Sequence, residues 1–329
     1  MVSLSYLGKR LGLMVVSLYA VITILFFLFR ILPGDPTSRV VSPRFSAEQQ
    51  EQLMAQYGLD EPLHTQYILY MRNFAVGDLG QSFQHGEPVL PFILDRTINT
   101  LILTVPAILI AFILGPFIGA LFAWHRNGRL DNYGTAIALT TYAAPIFWTG
   151  MIALMIFSFT LNILPSGGMR PAGDVPGTAV DRVFSLVTWQ HAILPIVIFA
   201  LWRISRPILI TRNTMIDVLG DDFIQLKKAE GTPESTIRYR HAMRNSLLPV
   251  VHYGALAIGY AFGGSVILET VFSWPGLGRT MWDAVQAHDY PVVQGAFFLM
   301  SFMVILFNFI ADIVSSWLDP RVKDEGVVE

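Results

Sequence analysis

The chain has 329 residues, 53% of them hydrophobic and 14% charged, with a net charge of −2 and a mean hydropathy of +0.52. A soluble domain carries about 25% charged residues, so much of this surface faces lipid. With no cysteine, disulfides, thiolate nucleophiles and thiolate metal sites are excluded; no Gly-x-x-x-x-Gly-Lys-Ser/Thr stretch is present to hold a nucleotide, and the charge balance carries no sign of nucleic-acid binding.

A spanning helix needs about 20 apolar residues. Six windows reach that length: Leu11–Leu32, Thr100–Trp124, Tyr133–Ile163, Trp189–Ile210, Leu247–Phe272 and Val293–Leu318. The expectation is an all-α integral membrane protein with six transmembrane helices, because helices satisfy their own backbone groups in lipid. Residues 1–32 hold the N-terminus and first span. Its apolar run, Leu11–Phe29, is too long for a signal-peptide core and no small-residue cleavage site follows, so it reads as a retained helix. Residues 33–99 form an extracytoplasmic segment. In it Ser46-Ala-Glu-Gln49 is a capping box opening a helix that Gly58 closes, and a second amphipathic stretch runs from Pro62 to Phe74. This segment either packs as an outer cap, or guards a pore mouth or meets a partner.

Residues 100–318 form the core of five further spans. The length of the third window and its Pro145 predict a kink or a tilt, while Arg203 and Arg206 near the end of the fourth can snorkel to an interface. Fourteen of the 22 Lys and Arg residues fall on the side that carries the termini, which places both termini and the 319–329 tail in the cytosol. On that side residues 211–246 form a polar, basic element. Asp221 or Asp222 caps a short helix from Phe223 to Glu230; Gly231 suits the left-handed position that ends it. Thr232-Pro233-Glu234 reads as cap, first helical residue and first-turn acid of the next helix, which runs through His241 and Arg244 toward Pro249. Such an element, outside the membrane and folded, has to dock on something.

The run Ala229-x-Gly231, His241-Ala-x-Arg244-Asn245 and Leu248-Pro249 resembles the cytoplasmic signature loop of importer-type ABC permeases, and more narrowly the oligopeptide/dipeptide/nickel permease family, first-permease type. Other motifs agree along nearly the whole chain: Pro33-Gly-Asp-Pro36, Tyr57-Gly-Leu-Asp60-x-Pro62, Gly77-Asp-Leu-Gly80-x-Ser82, Asn99-Thr100-Leu101, Pro145-x-Phe-Trp148, Glu269-Thr-Val-Phe-Ser-Trp-Pro-Gly-Leu-Gly278, Asp289-Tyr-Pro-Val-Val-Gln-Gly295 and Asp319-Pro-Arg321. The loop departs from the family pattern where Gln225-Leu226-Lys227 replaces Glu-Ala-Ala, and where Glu230 stands in place of a common Lys.

The resemblance implies a type I ABC importer permease fold in a prokaryotic inner (plasma) membrane. It implies a second permease subunit on a different chain, two cytosolic ATPase subunits that hold ATP and Mg, and an extracytoplasmic binding protein delivering peptides or similar small solutes; this chain would bind no cofactor and catalyse nothing. The ATPase-coupling residues it implies are Phe223, Leu226, Lys227, Lys228, Ala229, Glu230, Gly231, His241, Arg244 and Asn245.

Glu269, Gly263, Gly264 and Trp274 are the pore or gate candidates. Glu269 either meets substrate or a gate partner, as acids in membrane spans tend to, or fixes the Ser273–Gly276 loop. Gly259, Gly263 and Gly264 let the fifth span approach a neighbour, lining a pore or only packing. Asn308 and Asp312 share a helix face and suit helix–helix bonding. His191, His241 and His252 show no metal-ligand spacing. An alternative function, an ion-coupled secondary transporter or channel, would call for mid-depth acids and inverted repeats; no internal repeat is evident, and the acids lie near span ends. A membrane-embedded enzyme lacks any catalytic constellation.

Overall fold

Long apolar runs fold as helices wherever lipid leaves backbone groups no other partner, and helix dominates this computed structural model, which describes residues 4–31, 48, 61–174, 177–262 and 266–318. The Ser46–Gln49 capping motif (save Glu48), Gly58, Gly263, Gly264 and the 319–329 tail lie outside the described residues. α1 is Leu4–Ile31, α2 Leu63–Ala75, α3 Val89–Trp124 and α4 Arg129–Ala143. α5, Ile146–Ala153, runs on as a π-helical Leu154–Thr160, and α6, Ala179–Phe184, leads into α7, Leu186–Val218. α8 is Asp222–Ala229. Glu234–Thr236, a π-helical Ile237–Ala242 and Met243–Ser246 follow without a break and together form α9. α10 is Leu248–Phe262, α11 Val266–Val271, α12 Leu277–Ala287 and α13 Tyr290–Leu318.

Against the six predicted windows, the described residues contain four helices long and apolar enough to cross a membrane: Leu7–Phe29, Val89–Trp124, Leu186–Val218 and Tyr290–Ile310. The third window is a pair, Arg129–Ala143 and Ile146–Thr160, bent by 98°. That is sharper than a kink. Ala144 precedes Pro145 and takes the extended conformation that proline imposes on its predecessor (ψ 130), which ends α4 outright. The fifth window divides into α10, whose apolar part Leu248–Ala261 is shorter than a full span, and α11. The fourth window runs longer than expected, because Thr211–Val218 continues α7. Apolar side chains on the outside, among them Ile24 at 64% and Ile137 at 67% exposure, fit a lipid-facing surface rather than a watery one.

α1 and α13 lie side by side, and Arg10 pairs with Asp312 at 2.8 Å where α1 begins and α13 draws to its end. That end is called lower here. α2 folds back along α1, with Tyr67 and Tyr70 against Phe26 and Phe74 edge-on to Phe298 of α13. The centre is α3 against α7. Gly119 and Gly115 bring the two backbones so close that a Cβ on Gly119 would stand 2.4 Å from the Ile208 carbonyl oxygen.

At the lower end of that pair, the Arg212 guanidinium of α7 grips Asp131 of α4 with two hydrogen bonds, Nη2 donating to Oδ2 at 2.7 Å. Asp131 also accepts from the Asn127 N–H at 3.0 Å, and its side chain is only 1% exposed. Removing one member of a buried pair is costly because the other charge stays behind. Arg212→Ala is therefore expected to destabilise the protein by about 3 kcal/mol, more than Asp131→Asn, since Arg212 can still reach water. Thermal unfolding in detergent measures this; an Arg212→Ala midpoint equal to wild type would contradict it.

Candidate functional site

Two constructions stand out: a short crossbar at the lower end and a polar clasp at the upper end. α8 forms the crossbar. Asp221 occupies its N-cap position, but the carboxylate makes no capping bond; the Asp221 carbonyl accepts from the Ile224 N–H at 3.0 Å instead. Ile224 is fully buried and packs with Met215 of α7, Ala120 and Ala123 of α3, and Ile237 and Met243 of α9. Phe223 and Leu226 face the other way, 37% and 58% exposed. Lys228, Ala229 and Glu230 are exposed as well.

Gly231 has φ +71, the left-handed conformation predicted for it. The Thr232 N–H donates to the Lys227 carbonyl at 3.1 Å and the Gly231 N–H to the Lys228 carbonyl at 3.0 Å, the paired bonds that close a helix C-terminus. Lys227 and Glu230, both among the departures from the family pattern, meet each other at 2.7 Å. The next helix starts one residue later than expected. Pro233 is extended (ψ 139) and serves as the cap, its carbonyl accepting from Thr236 and Ile237, so Thr232 is not the cap. His241 is half-buried and its carbonyl accepts from the Asn245 side chain at 3.0 Å; Arg244 and Asn245 are exposed.

The clasp gathers motifs far apart in sequence. Glu269 on α11 is fully buried. Its carboxylate accepts from the Thr100 hydroxyl at 2.9 Å and the Arg279 N–H at 2.8 Å, and its carbonyl from the Trp274 N–H at 2.8 Å. The Thr100 oxygen in turn accepts from the Leu277 N–H. Asn99 donates to the Pro275 carbonyl and receives the Trp274 indole N–H on its own carbonyl, both at 2.8 Å. Trp274 is wholly buried beside Phe272 and Phe199. A Cβ on Gly276 would stand 2.6 Å from both Glu269 Cδ and Thr100 Oγ1, so only glycine fits.

A second knot beside it sets the buried Asp289 carboxylate under the turn at Ser82, which donates through its hydroxyl and through the N–H groups of Phe83 and Gln84. The structure thus joins Glu269 and Trp274 but keeps them far along the chain fold from the crossbar. Gly259 packs on α13, where a Cβ would come 3.1 Å from Phe307 Cβ. Among the described residues no group of three metal-ligating side chains lies together.

Sequence reasoning missed α6, α12 and the Arg182–Asp95 pair that ties α6 to α3. Thr178-x-x-Asp181 is a capping box in plain sight and could have revealed α6. For the clasp, Gly276→Ala is expected to cost about 1–3 kcal/mol by overpacking, and Glu269→Ala at least as much, by stranding buried donors. Both should still insert. Unchanged thermal stability of Gly276→Ala in detergent would refute the tight fit.

Known proteins match this sequence along its length. The family described as binding-protein-dependent transport system inner membrane component matches residues 115–324, and its N-terminal companion matches residues 3–104. The di/tripeptide transport system permease protein DppB of Pseudomonas aeruginosa is 35% identical over 98% of this chain and 99% of its own length. The dipeptide transport system permease protein DppB of Escherichia coli K12 is 34% identical, covering 97% and 99%. The glutathione transport system permease protein GsiC of Salmonella paratyphi A is 34% identical with the same coverage. The chain is a multi-pass membrane protein and belongs to the binding-protein-dependent transport system inner membrane component family, the permeases of ABC importers.

Proposed function

We propose that the chain is one permease half of an ATP-driven importer, with six spans and both termini in the cytosol. Four long helices supply four spans, the bent α4–α5 pair a fifth, and α10 with α11 the remaining one. The observation that carries this reading is α8: pinned from inside by Ile224 while Phe223 and Leu226 point outward. Apolar side chains held out on a short, fastened helix suit a groove on another protein. Two cytosolic ATPase subunits would supply that groove, and their closure around ATP and Mg²⁺ would push α8 as a rigid lever. Ile224 passes the push to the lower ends of α3 and α7.

A second permease chain completes the pore, and an extracytoplasmic binding protein delivers the solute at the clasp end. The names of the relatives support a peptide or similar small solute. An ion-coupled mechanism would draw on a buried acid, and the Glu269 carboxylate is already engaged with Thr100 and the Arg279 N–H.

Leu226→Asp is expected to insert normally yet lose both ATPase co-purification and ATP-driven uptake in reconstituted vesicles. Gly231→Val is a subtler test. A Cβ there meets nothing within 4 Å, so its cost is the left-handed backbone alone, about 1–2 kcal/mol; insertion should survive and uptake should fall. Uptake that persists with ATPases unable to hydrolyse ATP would sink the importer reading.

A further inference from the structure

Arg203 and Arg206 sit where charge is expensive. Arg206 stands nine residues above Met215 of α7, where α8, read as lying outside the membrane, is seated. At 1.5 Å per residue that is about 13 Å toward the middle of a hydrocarbon layer about 30 Å thick, with Arg203 almost a turn further in. Among the described residues neither arginine forms an ion pair.

Nor does Arg206 reach for the nearer interface. Side chains lean toward the N-terminus of their helix, here the upper end. Arg206 donates to the Tyr142 hydroxyl at 2.5 Å and lies 4.6 Å from that ring's centre. Tyr142 stacks on Trp202, one turn above Arg206, so the guanidinium is held toward mid-depth. Arg203 lies over Phe199 and Trp202 at 5.0 and 5.5 Å, and Tyr253 of α10 is an electrostatic neighbour of both arginines. Arg206 and Tyr142 are exposed and Arg203 is half-buried, so this aromatic-floored pair of cations opens on the surface of the chain at Arg206. Charges turned inward at this depth belong in a water-filled cavity, not in lipid.

We propose that Arg203 and Arg206 line the translocation path and receive the carboxylate of a solute in transit. This rests on the importer reading above and assigns that path a preference for anionic groups.

The chain has no cysteine, so Tyr142→Cys places its one thiol beside Arg206. In the assembled complex in vesicles, the anionic sulfonatoethyl methanethiosulfonate is expected to modify position 142 about ten-fold faster than the cationic trimethylammonioethyl reagent. The ratio should fall to near one when Arg203→Gln and Arg206→Gln are added. Arg206→Cys, which keeps Arg203, offers a second position with the same expected preference. Equal rates for the two reagents with the arginines in place, or no reaction at either position, would overturn the proposal. The double Gln variant should also lower ATP-driven uptake of a pool of unmodified dipeptides, read by mass spectrometry, with ATP hydrolysis retained; undiminished uptake would overturn the carboxylate role. Cysteine variants that show the reagent preference, beside a wild-type complex that gives no ATP-driven uptake, would defeat the importer reading and leave the cationic path in place.

Discussion

In hydrocarbon, apolar helices gain nothing by hiding from water, so a bundle must be held by close contact. The α3–α7 pair meets that demand. Gly115 and Gly119 let the two backbones touch, and four prolines beyond the first turns of the pair, at 106, 116, 195 and 207, are carried by its surroundings. Everything of functional interest hangs on this rod. Its upper part carries Asn99 and Thr100, which hold the clasp. Its lower part carries Ala120, Ala123 and Met215, the seat of Ile224. The crossbar therefore rests on the same two helices that organise the opposite face.

Local signals in the sequence were legible. Glycine after Glu230 ended α8 in the conformation only glycine takes cheaply, and proline after Ala144 ended α4. The apolar windows located the long helices, with ends misjudged by up to eleven residues at Val89, because polar residues such as Asp95 and Asn99 looked like loop. They are helical and satisfied through contacts more than eighty residues away, with Arg182 and Pro275. No window along one chain shows such pairings. The family motifs marked Asn99–Leu101 and Glu269–Gly278 separately; only three dimensions show that they are two sides of one object.

Electrostatics divides along the same line. Asp131, Glu269 and Asp289 are buried acids, and each is surrounded by donors from the backbone, a hydroxyl or a guanidinium. Their carboxylates are engaged inside the protein. Arg203 and Arg206 differ: their neighbours are aromatic faces, which tolerate a cation without neutralising it. The acids are spent, and the arginines are not.

The π-helical stretch in α9 has a consequence for spacing. Closure from i to i+5 brings residues five apart onto a common face, as with Ile237 and Ala242, both buried. An ordinary α-turn would have swung one of them outward. The inserted residue thus keeps the inner face greasy while Arg240 and Arg244 stay in water. Deleting a single residue between 237 and 242 would restore regular winding and rotate everything before it relative to α10, so that the crossbar would meet its neighbours with the wrong side.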